Sequence, residues 1–177
     1  MNADGLPNNP NITERELAAL HGEAMSWAYS LAPNEAEDIV QQAYVLILEG
    51  QAKFSRQASL RTWLFGVIKN LARKSRRTRL LRAGLLQKFW HPDATTEDVQ
   101  SGADKRLNAA ILALSRKQRE VIELHTYRGF SLEECAFIMR ISVGSARTHY
   151  HRAKQSLAAA LNQDSEQHSE QEGLQDD

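Results

Sequence analysis

The stretch FSLEECAFIMRISVGSARTHYHRAK, residues 130–154, reads as two short helices around a tight turn. Ser131 opens the pattern S-x-x-E with Glu134, a capping box in which side chains and backbone satisfy each other's unpaired groups at a helix start. Leu132, Ala136, Phe137 and Met139 are expected to face inward from that first helix. Arg140, Ile141 and Ser142 make the turn, and Ser142 is placed to cap a second helix. Along it Val143, Ala146 and Tyr150 fall at i, i+3 and i+7, which leaves Arg147, Thr148, His151 and Arg152 on or near the outer face. An apolar back and a hydrogen-bonding front are what a helix needs to lie in the major groove of duplex DNA. A solvated helical hairpin shares the turn pattern, so other parts of the chain decide between the two.

Charge is the second clue. The chain has 22 bases and 22 acids in 177 residues, yet they are strongly segregated. Residues 1–52 hold eight acids against one base, Arg15. Residues 53–90 hold eleven bases and no acid: Lys53, Arg56, Arg61, Lys69, Arg73, Lys74, Arg76, Arg77, Arg79, Arg82 and Lys88. Residues 91–104 carry four acids, residues 105–161 ten bases against four acids, and residues 162–177 six acids alone. Eleven uncompensated bases repel one another unless a polyanion lies nearby, so two basic blocks around an acidic joint predict two nucleic-acid-binding bodies on one string.

The length suits one or two small domains, and the 42% hydrophobic content suits a helical core. No apolar run approaches the roughly 18 residues of a membrane span. The start MNADGLPNNPN lacks a basic n-region and an apolar middle, so a cytoplasmic location is expected. Cys135 is the lone cysteine and reads as a small core residue. Phosphate-loop, dinucleotide and nucleophile-elbow motifs are missing, and the six histidines include no metal-ligand spacing, so neither enzyme activity, cofactor nor metal is expected.

Organisation follows the charge map. Residues 1–11, rich in Asn and Pro, and the acidic tail 162–177 read as disordered. Residues 12–31 read as one helix ending before Pro33. Asn34 with Glu37 suggests a capped start for the next, which runs to about Glu49 with Ile39, Ala43, Leu46 and Ile47 inward. Ser59 caps a helix from Leu60 to about Arg77, with Leu64, Val67, Ile68 and Leu71 as its buried stripe, and a further helical stretch covers Leu80 to Trp90. Residues 91–103 have linker composition. Beyond them come a short helix from Lys105 to Leu114, a helix from Lys117 to Tyr127 entered through Ser115 and Gln118, and the helix pair described first. No run reads as a strand, so the fold is all-α: two small helical domains, residues 12–90 and 104–161, joined by a flexible acidic linker.

Three ordered segments, AEDIVQQAYVLILEG, ASLRTWLFGVIKNLARKSRR and LSRKQREVIELHTYRGFSLEECAFIMRISVGSARTHYHRAKQSL, together resemble an extracytoplasmic-function (ECF, group IV) sigma factor of bacterial RNA polymerase. The resemblance implies a sigma-2-like domain and a sigma-4-like helix-turn-helix domain that bind core RNA polymerase and direct it to promoter DNA at the minus-35 and minus-10 elements. It implies core-polymerase docking by Asp38 and Gln41, which match a D-x-x-Q pattern, with Gln42 beside them in place of a common acid. It also implies that Phe54, Ser55, Arg56, Gln57, Arg61, Lys69, Asn70, Arg73 and Lys74 melt and capture the downstream element. Such capture needs a pocket for an extruded base, polar edges to read it and cations along a single strand. Trp63 could stack on a base but reads as core. For the upstream element the matching residues are His125, Arg147, Thr148, His151 and Arg152, while Arg140 and Lys154 suit phosphates and Arg116, Lys117 and Arg119 could touch the backbone. An anti-sigma factor, in many family members membrane-bound, is a further implied partner. A stand-alone helix-turn-helix regulator would explain the C-terminal half equally well, but not the acid-free basic block that follows an acidic helix.

Overall fold

The computed structural model describes residues 5–86 and 109–172; the expected linker 91–103 and the last five residues lie outside that range. The chain divides into two compact units, the first Met1–Pro92 with Phe137–Met139, the end of a helix that otherwise belongs to the second, and the second Asp93–Ala136 and Arg140–Asp177. Both units are helical.

The first unit begins with a two-stranded antiparallel hairpin, β1 (Gly5–Leu6) and β2 (Asn9–Thr13). Residues 5–11 are therefore not frayed as their composition suggests. Ile12 is fully buried and the Asn9 side chain is turned inward, so long-range contacts hold a segment that has little local tendency to order. The expected single helix over residues 12–31 is two: α1 (Glu14–Ala19) and α2 (His21–Leu31). Thr13 and Glu16 form a full capping box that starts α1, with the Thr13 N–H donating to Glu16 Oε2 at 2.8 Å. The Thr13 hydroxyl, which donates to the same oxygen at 2.8 Å, and then that N–H hold the Glu16 carboxyl below its usual range. A 3-10 turn at Pro33–Glu35 leads into α3 (Ala36–Leu48), which starts without a side-chain cap, so Asn34 does not play the expected role. Gly50, at φ +73°, follows α3 in the left-handed conformation that glycine adopts without steric cost.

Ser59 caps α4 (Leu60–Leu86), its Oγ accepting from the Thr62 N–H at 3.0 Å. As far as Leu86 one continuous helix takes the place of the two expected; residues 87–90 of the second lie outside the described residues. No proline falls between Leu60 and Leu86, Arg, Lys and Leu are good helix formers, and Gly66 and Gly84 only weaken the helix. At the centre Trp27 of α2 is fully buried and stacks on Phe65 of α4, ring centroids 5.6 Å apart, and its indole N–H donates to the Phe65 carbonyl at 3.1 Å. Ile39, Val40, Ala43 and Ile47 of α3 and Leu64, Ile68, Leu71 and Ala72 of α4 complete the core.

The second unit holds α5 (residues 109–113), α6 (Arg116–Ile122), a π turn at Glu123–Tyr127, α7 (Leu132–Met139) and α8 (Val143–Glu172). Ser115 and Gln118 form the expected capping box. Leu114, Ile122 and Ala153 pack together, with Tyr150 and Leu157 against them. In α7 the buried arc passes through Cys135 and Ala136, and Phe137, a further 100° round the helix, is 42% exposed rather than inward. α8 continues to Glu172, through residues expected to be disordered. Ala158 to Ala160 and the Gln and Glu residues that follow are good helix formers with no Pro or Gly among them.

Replacing Trp27 by Ala removes the ring that joins α2 to α4. It is expected to destabilise the first unit by about 3–5 kcal/mol, with a smaller cost for Trp27→Phe, as read by urea denaturation of the full chain.

Candidate nucleic-acid interface

The two helices of the opening stretch are built as their local chemistry dictates. The Ser131 N–H donates to Glu134 Oε2 at 3.0 Å, and the Glu134 N–H donates to Ser131 Oγ at 3.1 Å. At the turn Arg140 takes φ +53°, and the Ile141 N–H reaches back to the Ala136 carbonyl at 3.1 Å, the Schellman closure that ends a helix. A side chain at that φ costs energy that glycine would not, so the turn is held by what surrounds it. Ser142 then caps α8, its Oγ accepting from the Ser145 N–H at 3.1 Å. With both ends fixed, Ala146 and Ala153 face inward while Arg147, Thr148, His151 and Arg152 are all exposed. Their i, i+1, i+4, i+5 spacing gathers two guanidiniums, a hydroxyl and an imidazole on one strip.

Two of these groups have partners within the unit. Arg147 pairs with Glu133 of α7 at 2.9 Å, both side chains more than half exposed. The Glu133 carboxyl is held below its usual range first by its own backbone N–H and then by Arg147. An exposed pair of this kind is worth little, so Arg147 can exchange Glu133 for a base edge or phosphate at small cost. Thr148 donates its hydroxyl to the Gly144 carbonyl at 2.9 Å. His149, one step from the strip, is half-buried, and burial followed by the charges of Lys117 and Arg152 pushes its pKa down.

His125 sits in the π turn. A carbonyl only accepts, so its Nδ1 carries the proton and donates to the Phe130 carbonyl at 2.7 Å, and its ring stands edge-on to Tyr150 at 4.6 Å. The imidazole is wedged between the turn and α8 and has Nε2 left to offer. Arg119 is committed elsewhere, donating to the carbonyls of Ile111, Leu112 and Leu114 at the end of α5, while Arg116 and Lys117 are exposed. Arg140 and Lys154 are exposed as well.

In the first unit the loop before α4 departs from expectation at one residue. Phe54 is 9% exposed, its ring set against Trp63 at 5.3 Å, its N–H donating to Asn9 Oδ1 and its carbonyl accepting from Asn11. It anchors the loop and offers no face to a base. Trp63 is half-buried on that anchor. Ser55, Arg56 and Gln57 are exposed, and Arg56 holds φ +60°. On α4, Lys69, Asn70, Arg73 and Lys74 repeat the i, i+1, i+4, i+5 spacing, the first pair half-buried and the second exposed. They lie about three turns beyond Ser59. Arg61 is bound to Glu23 at 2.7 Å and lies over the Phe65 ring at 5.5 Å, so its charge is already matched.

A third surface lies on α3. Asp38, Gln41 and Gln42 are exposed, and so are Val45 and Leu48, at 48% and 49%. The two apolar residues continue the polar stripe at i+7 and i+10 from Asp38. Sequence reading passed over them because an apolar residue on an amphipathic helix is ordinarily assigned inward. Their offset from the buried Ile39, Val40, Ala43 and Ile47 was the available signal.

Two family models match the chain in order: Sigma-70 region 2 over residues 17–80, and Sigma-70, region 4 over residues 104–157. An ECF RNA polymerase sigma factor of Mycobacterium tuberculosis, SigL, is 31% identical over 156 residues, covering 82% of this chain and 88% of its own. The chain belongs to the ECF RNA polymerase sigma factors. As such it is a transcription initiation factor that directs RNA polymerase to promoters. EcfG of Rhodopseudomonas palustris is similar as well, 29% identical over 163 residues with 88% of each chain covered. Among solved structures, the sigma factor RpoE from Bartonella quintana, in complex with the anti-sigma factor NepR, matches 84% of this chain and 96% of its own at a TM-score of 0.67 and 26% identity. CnrH, in complex with the cytosolic domain of CnrY, shares the fold at a TM-score of 0.55 and 23% identity, covering 87% of this chain and 92% of its own. Among the described residues no helix of this sigma factor is long and apolar enough to cross a membrane.

Cys135 of α7 is fully buried. Burial first, and then the charge of Glu134, push its thiol up to about 12. In the folded chain thiolate is therefore scarce at pH 8. A thiol reagent at that pH is therefore expected to label Cys135 only on unfolding; rapid labelling of the native protein would contradict this placement.

Proposed function

We propose that this sigma factor docks on core RNA polymerase through the exposed face of α3 and reads the two promoter elements with α4 and α8. The observation that carries the reading is the pair of matching strips, Lys69, Asn70, Arg73 and Lys74 on one helix and Arg147, Thr148, His151 and Arg152 on another, each in its own unit. Arg and Thr suit base edges and phosphates in the major groove, which fits α8 to the upstream element, with His125 contributing its free nitrogen from the π turn. Exposed Ser55, Arg56 and Gln57 at the start of α4 suit capture of an extruded downstream base, and Arg73 and Lys74 the single strand that follows. Phe54 and Arg61 act in this scheme by holding the loop and helix start. The domain limits that go with it are residues 12–90 for polymerase binding and downstream melting and 104–161 for upstream recognition, with 91–103 as the joint.

On α3, Asp38, Gln41 and Gln42 supply the polar rim of the docking face, and Val45 and Leu48 its apolar centre, the arrangement in which a few desolvated side chains carry most of the affinity. A stand-alone regulator would leave Val45 and Leu48 exposed for no purpose. The chain works in the cytoplasm and performs no chemistry of its own. The anti-sigma complex of its Bartonella relative supports control by an anti-sigma factor, membrane-bound or free.

Co-purification with bacterial core polymerase and run-off transcription from a cognate promoter test the reading. Leu48→Asp is expected to abolish association while leaving the helix content unchanged, because Leu48 is half exposed; unaltered association would remove α3 from the docking role. In the second unit, Arg147→Ala or Arg152→Ala is expected to cost about 1–3 kcal/mol and to relax selectivity at one upstream base pair where the guanidinium reads a base. Lys154→Ala should weaken all sequences alike and lower the salt slope by about 1. Uniform weakening by all three variants would mean that α8 touches phosphates alone.

A further inference from the structure

Three asparagines of the N-terminal hairpin converge on one place. Asn9 is 3% exposed, and every function of its amide is used: Nδ2 donates to the carbonyls of Ile47 and Ala52, the latter at 3.0 Å, and Oδ1 accepts from the Phe54 N–H at 3.1 Å. Asn8 donates to the Leu48 carbonyl at 2.7 Å, and Asn11 to the Phe54 carbonyl at 3.3 Å. The hairpin thus takes up two carbonyls at the end of α3 and both backbone groups of Phe54, the residue that opens the loop of Ser55, Arg56 and Gln57. It also lies so close that a Cβ on Gly50 would stand 2.8 Å from the Asn8 Cβ.

Carbonyls at a helix end are satisfied by water at no great cost, so stability of α3 does not by itself call for a buried amide there. What a fully satisfied buried amide supplies is a single geometry. Here that geometry fixes where Phe54 turns inward onto Trp63 and where the chain turns outward, through a left-handed Arg56 that needs its surroundings to hold it. The match to Sigma-70 region 2 begins at residue 17, so the asparagines come from outside the segment that the family model describes.

Resting on the reading that this loop captures an extruded base, we propose that Asn8, Asn9 and Asn11 are positioning residues that preset the loop and thereby set selectivity for the downstream promoter element. An extruded base is discriminated by edges held in place before it arrives; a loop free to sample other paths accepts several bases and captures each more slowly. The asparagines touch no DNA in this scheme and act through the loop backbone.

The test uses the full chain with core polymerase and a set of promoters that differ at single downstream positions, comparing open-complex formation by wild type, Asn9→Asp, Asn8→Ala and Asn11→Ala. Asn9→Asp keeps the shape and replaces both donors with an acceptor facing two carbonyls. The expected result is a fall of about tenfold in the ratio between preferred and disfavoured downstream bases, on the scale of one mismatched base pair. Affinity for core polymerase and dependence on the upstream element should remain at wild-type values, which a general loss of folding would not allow. Should Asn9→Asp fail to fold by circular dichroism, Asn8→Ala and Asn11→Ala, each losing one hydrogen bond, carry the comparison. Unchanged ratios in the folded asparagine variants, alongside a reduced ratio for Gln57→Ala or Arg56→Ala, would overturn the positioning role and leave base capture standing. Unchanged ratios for Ser55→Ala, Arg56→Ala and Gln57→Ala as well would overturn base capture itself, and the positioning role with it.

Discussion

Four N–H groups at the start of a helix and four carbonyls at its end have no partner within the helix, and the way these are satisfied helps decide where its side chains point. This sigma factor meets that constraint at each of its candidate surfaces. Ser142 fixes the start of α8 and so the strip that runs from Arg147 to Arg152. Ser59 fixes the start of α4 and so the register of Lys69 to Lys74. The hairpin asparagines close the end of α3, and the loop that follows takes its path from them. Cores position the helices, but the caps set rotation and entry angle, and a recognition helix turned by one residue would present a different face.

The two units meet the same task with different degrees of commitment. On α8 the cations are exposed; Arg147 is held by an exposed carboxylate that gives it up cheaply, and Lys154 lies over the Tyr150 ring at 5.8 Å. On the first unit Arg61 is tied to Glu23 and laid on Phe65, and Phe54 is turned into the structure. Under the proposed reading the α8 surface is thus ready for a rigid duplex groove. The surface before α4 is a small exposed loop on a tightly secured base, which suits a ligand that must itself be unstacked before it fits.

Much of this was legible in the sequence, and what was legible was local. The capping pairs Ser131 with Glu134 and Ser115 with Gln118, the turn at Arg140 and the outward strip on α8 each depend on residues within one or two helical turns. The hairpin was not legible, because what holds Asn9 lies 38 to 45 residues away in α3 and the following loop, and no local pattern announces it. The same holds for Phe54, an aromatic on a polar loop whose burial comes from Trp63 and the hairpin together. Val45 and Leu48 were not assigned at all, because apolar periodicity looks for one buried face and has no rule for apolar residues left on the other. The length of α8 came from propensity in a segment whose composition suggested disorder.

The most direct measurement is a hydroxyl-radical footprint of the reconstituted holoenzyme on a cognate promoter, combined with permanganate reactivity of its thymines. Two separate protected patches that need the chain and core polymerase together, with unpaired thymines confined to the downstream one, are the expected result. A single patch, or full protection by the chain without polymerase, would contradict the division of promoter recognition between α4 and α8.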